Sequence, residues 1–215
     1  MGYKERLVML SVDPQKGSIR GRTSINTLLF FASLFELADK GLLRIEDGRW
    51  TIREGVPEDP VLKKVAGILA SKNGKRTRWV LNNVPLRISS LFRLLRDHML
   101  ERHLITAQPL HFLFWRVGYR YRVVKQGLVL REFTPLERVL IYGRDPDPGT
   151  HVMILLLGAA GLHKSLFAGT EYRRKARQRM KELRKQPGGS HPETYQTIGK
   201  ELFRMLRSQK QHKTF

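Results

Sequence analysis

The sequence predicts a mainly α protein, a compact helical core carrying small β-hairpins. Three observations carry that prediction. Apolar residues recur at three- and four-residue spacing in most segments, Gly, Pro, Asn and Asp turn signals separate those segments, and only two internal stretches switch to strand-like patterns around a turn. The 215 residues suffice to bury a substantial core without cross-links, and none is cysteine. That composition removes thiol nucleophiles, disulfides and thiolate metal sites, and suits a reducing, cytoplasmic compartment.

Residues 7–12 form a short apolar run read as an opening strand, followed by the turn formers Asp13-Pro14 and Lys16-Gly17 and a loop to about Thr23. From Ser24, a cap residue, Leu28, Phe31, Ala32, Phe35 and Ala38 mark one helix that stops at Lys40-Gly41. Residues 42–45 and 49–52 flank Asp47-Gly48, a tight hairpin signal. Asp59-Pro60 opens a helix with Leu62, Val65, Ala66 and Leu69 on one face, and further helices are expected over 76–83 and 89–102. Residues 110–124, rich in aromatic and β-branched side chains, predict a second hairpin.

Thr134-Pro135-Leu136-Glu137 reads as a capping box starting a helix, and Thr150 as the cap of an apolar helix running through Leu162 toward Phe167. That apolar stretch is about half of the ~20 residues needed to cross a bilayer, so it is expected at the centre of the core. Residues 170–185 make a basic amphipathic helix with a narrow stripe of Tyr172, Ala176, Met180 and Leu183. Pro187-Gly188-Gly189 breaks it, and a last helix from about Pro192 carries Tyr195, Ile198, Leu202, Met205 and Leu206 on one side. The predicted organisation is a main domain over 1–168 and a basic helical extension over 169–215.

Forty Lys plus Arg against nineteen Asp plus Glu give a net charge of +21, a field that attracts phosphate in lipid or nucleic acid. The cations concentrate in the first loop (Lys16, Arg20, Arg22), around the mid-chain helix (Arg87, Arg93, Arg96), and in the second hairpin and the last two helices. From 103 to 131 no Asp or Glu occurs, while Phe112, Phe114, Trp115, Tyr119 and Tyr121 interleave with Arg116, Arg120, Arg122 and Lys125. Aromatics with cations suit a membrane interface, where each cation contributes about 1 kcal/mol. Core packing of alternate aromatics, and a solvated helix face for Arg87, Arg93 and Arg96, are the plain structural readings of the same residues.

Helix followed by β-ribbon is also the pattern of winged-helix domains, which makes nucleic acid the rival partner. Against it, residues 24–39 contain no Lys or Arg to reach bases or phosphates. Catalysis has little support: no Gly-rich phosphate loop follows a strand, no zinc-ligand spacing or nucleophile elbow occurs, and His163 reads as a core histidine. Neither a metal nor a cofactor is expected. The start, Met1 to Arg6, lacks the apolar run of a secretory signal, and Arg6 stands where a myristoylation motif requires Ser or Thr.

The order of several motifs carries a family likeness. These are the run 7–12, Glu36-Leu37-Ala38-Asp39-Lys40-Gly41-Leu42-Leu43 at a helix end, Glu58-Asp59-Pro60, Leu100-Glu101-Arg102-His103-Leu104-Ile105, and Asp145-Pro146 leading to residues 155–162 and Phe167. Over residues 6–167 the chain resembles the Golgi phosphoprotein 3 family. The resemblance implies a non-catalytic peripheral membrane adaptor with a flat basic face for anionic lipid, phosphoinositide in eukaryotic members, that also holds client membrane-protein tails. It implies self-association through the second hairpin on the membrane side. The candidate headgroup residues in this chain are Lys16, Arg20 and Arg22 in the first loop and Arg87, Arg93 and Arg96, the last two offset by a few residues from the family's arginine pair, with Phe112, Phe114, Trp115, Arg116, Tyr119 and Arg120 as the membrane-contacting hairpin. The first loop lacks the family's aromatic, and Phe30 stands where the family has an arginine.

Overall fold

The computed structural model describes residues 1–53, 55, 57–84, 88–112, 115–186 and 192–211. Among them, ten helices and two separate two-stranded antiparallel sheets follow one another, so the mainly α expectation holds.

The opening run is a helix, α1 (Tyr3–Ser11), and not the strand expected over 7–12. A short continuous apolar run looks the same in a buried strand and a buried helix. Here Leu7, Val8, Met9 and Leu10 are all buried, and so are Lys4 and Glu5. Gly2 N–H donates to Glu5 Oε2 at 2.9 Å, which satisfies a free amide at the start of the helix. The Lys4 ammonium bonds the Glu36 carboxylate and lies 3.5 Å from Asp59, pinning α1 to α2 (Ile25–Asp39).

Helix α2 is the hub of the core, with every residue from Leu28 to Ala32 and Leu34, Phe35, Leu37 and Ala38 fully buried. Such burial removes α2 as the recognition helix of the first helix–ribbon unit. Its end and the end of α5 (Leu91–Glu101) are built alike. Leu42 N–H donates to Leu37 O and Gly41 N–H to Ala38 O, both at 2.9 Å; Leu104 N–H donates to Met99 O at 2.9 Å and His103 N–H to Leu100 O at 3.0 Å. Gly41 and His103 both take positive φ, the left-handed stop that turns a helix into a following ribbon.

The first ribbon pairs β1 (Leu43–Glu46) with β2 (Arg49–Ile52) through Asp47 and Gly48, both at positive φ, as expected. After α3 (Pro60–Ala70), capped by Asp59 accepting from Leu62 N–H at 2.7 Å, and α4 (Thr77–Asn82), the chain reaches α5. The second ribbon, β3 (Ile105–Phe112) with β4 (Trp115–Val123), begins five residues before the expected start. Polar Gln108 and Ala107, a residue type depleted in strands, hid its first half.

Helix α6 (Gln126–Leu140) starts eight residues before Thr134, correcting the capping-box reading. Pro135 lies inside it, and the Thr134 hydroxyl donates back to Leu130 O at 2.9 Å instead of capping. A proline inside a helix costs about 3 kcal/mol or more. Packing of Leu128, Val129 and Phe133 on the core, with buried Glu132 paired to Arg6 of α1 at 2.5 Å, offsets that cost. Helix α7 (Pro148–Ala160) is central as expected, but its cap is Asp147: Oδ1 accepts from Thr150 N–H at 2.9 Å and Oδ2 from the Thr150 hydroxyl at 2.5 Å.

A short helix, α8 (His163–Leu166), precedes the basic α9 (Thr170–Leu183) and α10 (Pro192–Gln211). Ala176, Met180 and Leu183 of α9 are buried, whereas Tyr172 is 49% exposed and leaves the expected stripe. The expected apolar face of α10 is buried; Tyr195 packs on Phe35 at 5.3 Å between ring centroids, and the Thr194 hydroxyl accepts from Ile45 N–H at 3.0 Å. Among the described residues, no helix is long and apolar enough to cross a membrane.

Candidate anion-docking site

Three separate elements bring their cations to one region: the loop after α1, the N-terminal part of α5, and β4. The loop is folded by Asp13, whose Oδ1 accepts from Lys16 N–H at 2.8 Å and Gln15 N–H at 3.0 Å. A bridge between Val12 and Ile19 closes it. The Lys16 amide, followed by burial acting in the opposite direction and then the Gln15 amide and Arg20, leaves the Asp13 carboxyl below its usual range. Arg20 is committed locally: Nη2 lies 3.1 Å from Asp13 Oδ2 and Nη1 donates to Ser165 O at 3.4 Å. Lys16 and Arg22 are exposed.

Gly17 fastens this loop to the ribbon. Its carbonyl accepts from Tyr121 N–H at 2.7 Å, and its φ is +66°. A Cβ there would lie 2.3 Å from Arg120 Cγ and 2.8 Å from the Tyr121 carbonyl, so only glycine allows the approach. The contact puts Gly17, the chain neighbour of the exposed Lys16, against the side chain of Arg120, which is also exposed. Tyr121 is buried and meets Phe92 of α5 edge-on at 5.9 Å, with Tyr119 at 6.1 Å on the same face of the strand. Phe92 N–H in turn donates to Asn26 Oδ1 at 2.7 Å, which ties α5 to the first turn of α2 just after Arg22.

On α5, Arg93 is exposed and Arg96 is half-buried. The Arg96 guanidinium lies over the Tyr119 ring at 5.1 Å from its centroid and bonds Asp97 Oδ1 through Nε at 2.8 Å and Nη2 at 2.6 Å. Arg96 is therefore partly neutralised and aligned by its neighbours, whereas Arg93 offers a free-standing charge to solvent. Trp115 is 76% exposed at the turn end of the ribbon. Arg87 and Phe114 lie outside the described residues, as do the side chains of Phe112 and Arg116. Phe30, at the position matching the family's arginine, is fully buried in the core.

Of the residues that assemble the region, sequence reasoning did not single out Asn26, and it read Asp13 and Gly17 only as turn formers and Tyr121 only as one of the ribbon's aromatics. The Asp13-Pro14 and Lys16-Gly17 pairs signalled the turn; nothing in the sequence signalled that it packs on β4.

Two other features fall outside this region. A concavity of about 1090 Å³ lies where α6 leads into α7 and is lined by residues that include Arg138, Tyr142, Arg144 and Asp147. Asp147 is occupied in capping there, and Asp145 pairs with Arg179 at 3.3 Å, so the region with converging cations is the better candidate. Glu5, Asp59 and His98 bring ligand atoms within 4.8 Å of one another. Lys4, 3.5 Å from Asp59, and Arg102, 3.7 Å from Glu5, already supply positive charge to that cluster.

The described residues form a helical scaffold with two ribbons that presents cations and aromatics from discontinuous segments on its surface. The chain matches the family described as Golgi phosphoprotein 3 (GPP34) over residues 4–202, and it belongs to that family. The match continues through α9 and most of α10. A comparison with curated proteins returned no match.

Proposed function

We propose that this protein is a peripheral membrane adaptor that docks the face formed by the first loop, α5 and β4 onto anionic lipid. The observation that supports the reading is the Gly17–Tyr121 hydrogen bond, which fastens the loop carrying Lys16 to the ribbon that carries Arg120 and whose Tyr119 lies under Arg96. The exposed cations Lys16, Arg22, Arg93 and Arg120 meet lipid phosphate. Arg20 and Arg96, each anchored by a neighbouring Asp, shape the surface. Trp115 is proposed to settle at headgroup level beside them.

Arg87, Phe112, Phe114 and Arg116 belong to the same proposed surface by sequence position. Phosphoinositide is the proposed headgroup class, read by a cluster of loop and helix cations where the family has an aromatic. Client membrane-protein tails and a second copy meeting the second ribbon complete the adaptor reading. Membrane-associated action from the cytoplasm, without catalysis, follows from it.

Flotation with vesicles of neutral lipid, with added phosphatidylserine, and with added phosphoinositide tests the proposal at about 0.15 M salt, where the Debye length is about 8 Å. Binding to the anionic vesicles and none to the neutral ones is expected. Absence of binding to every anionic composition overturns it.

A further inference from the structure

We infer that the cleft between α7, α9 and α10 is a second ligand site, separate from the docking face, built for a small anionic amphiphile. Its ligand is a carboxylate head on an apolar group of about six carbons. The cleft, open to solvent on one side, has a volume of about 160 Å³. An engineered apolar cavity of about 150 Å³ holds benzene, so the apolar part of a ligand here has room for a group of that size.

The floor is apolar: Ile154 and Leu155 of α7, Met180 of α9 and Phe203 of α10. Gly158 keeps it open, since even a Cβ there would sit 3.4 Å from Met180 Sδ, and any larger side chain would fill the space. The rim is cationic. Arg177 and Lys181 of α9 and Arg184, its helical C-cap residue, line the cleft at i, i+4 and i+7, which puts all three on one face.

These charges have no acidic counterpart in the cleft. The nearby carboxylates are engaged elsewhere: Glu171 with Lys175 at 2.9 Å, Glu182 with Arg179 at 3.2 Å, and Glu201 with Arg204 at 2.6 Å. Among the described residues lining the cleft, none is Asp or Glu. Arg184 stacks over the Phe203 ring at 3.9 Å from the centroid. Partial burial, and then the neighbouring charge of Arg207, push the Arg184 guanidinium below its ordinary pKa. An incoming anion relieves that repulsion.

The combination selects the ligand class. A bare phosphate leaves the apolar floor wet, and a neutral hydrocarbon leaves the rim charges unanswered. A carboxylate accepts charge-assisted bonds from the two guanidinium groups while its chain covers Leu155, Met180 and Phe203.

The test is isothermal titration of the full chain with octanoate below its micelle concentration, with acetate and 1-octanol as the head-only and tail-only controls. Octanoate is expected to bind saturably at one site, and both controls at least about tenfold more weakly, because each lacks one half of the recognition. Gly158→Leu is expected to abolish binding by filling the cleft. Lys181→Gln/Arg184→Gln, at exposed positions that leave the fold intact by circular dichroism, is expected to weaken it roughly tenfold or more. Arg93→Gln/Arg96→Gln is expected to leave octanoate binding unchanged, which separates this site from the docking face. Non-saturable uptake, octanol binding as tightly as octanoate, or equal binding by the parent and Lys181→Gln/Arg184→Gln overturns the inference.

Discussion

Removing Lys16, Arg22, Arg93 and Arg120 together, each replaced by Gln, is the sharpest test of the docking face. All four are exposed, and none has an acidic partner within salt-bridge distance among the described residues. A cation held near an anionic bilayer contributes about 1 kcal/mol, so the four together contribute about 4 kcal/mol. At about 1.4 kcal/mol per decade, the expected loss in vesicle partitioning is close to a thousandfold. Arg20 is different because Asp13, 3.1 Å away, already cancels its charge. Asp13→Asn/Arg20→Gln changes no net charge and is expected to hold partitioning within about threefold of the parent. Flotation with phosphatidylserine vesicles at fixed ionic strength measures both, with circular dichroism to verify folding. Removing four cations from α9 instead (Arg174, Arg177, Lys181 and Lys185) subtracts the same charge from the +21 total. If that variant loses as much binding as the first, diffuse charge rather than a located face drives docking, and the reasoning fails.

Other outcomes follow from single contacts. Gly17→Ala forces a side chain into positive φ and against the Tyr121 carbonyl, so a loss of about 1–3 kcal/mol in urea unfolding is expected, together with weaker vesicle binding. Lys4→Met leaves the buried Glu36 carboxylate without its ammonium and is expected to cost about 3–5 kcal/mol; adding Glu36→Gln should recover most of it, and no recovery would refute the pairing as the cause. Burial, opposed by the bond to Leu183 O at 3.0 Å, holds the His151 pKa below its ordinary value. The unfolded chain therefore binds the proton better. The contribution of His151 to stability is complete above about pH 6.5 and falls as the pH drops through that value toward the lower folded pKa. His151→Gln should flatten the unfolding free energy across that window, and an unchanged pH profile would argue against it.

Much of the fold was legible because its signals are local. Asp47-Gly48 needs only its own backbone preference to make a hairpin, and Lys40-Gly41 likewise stops α2. The apolar faces of α3, α5 and α10 announce themselves at helical spacing. The two misread starts have a common cause, since each depended on which surface covers the segment. The run at Leu7 to Leu10 carries no period, so only the core around it decides between helix and strand. Thr134-Pro135 satisfies every local rule for a helix start, yet burial of Leu128, Val129, Phe133 and Glu132 extends the helix backward through the proline.

The candidate site divides along the same line. The sequence by itself determined the charge, the helical class, the two ribbons and the segments in which cations and aromatics are dense, because composition and short-range periodicity are properties of neighbouring residues. It also carried, through the order of its motifs, the family to which the chain belongs. Only the tertiary structure decided which cations are spent and which are free. Arg20 and Arg96 are taken by Asp13 and Asp97, Phe30 is turned into the core, and Gly17 brings a loop at residue 17 against a strand at residue 121. The two ion pairs join residues close in sequence, seven apart and adjacent, whereas the Gly17–Tyr121 contact joins segments about a hundred residues apart; that contact and the burial of Phe30 are set by how the elements pack, and no local pattern encodes them.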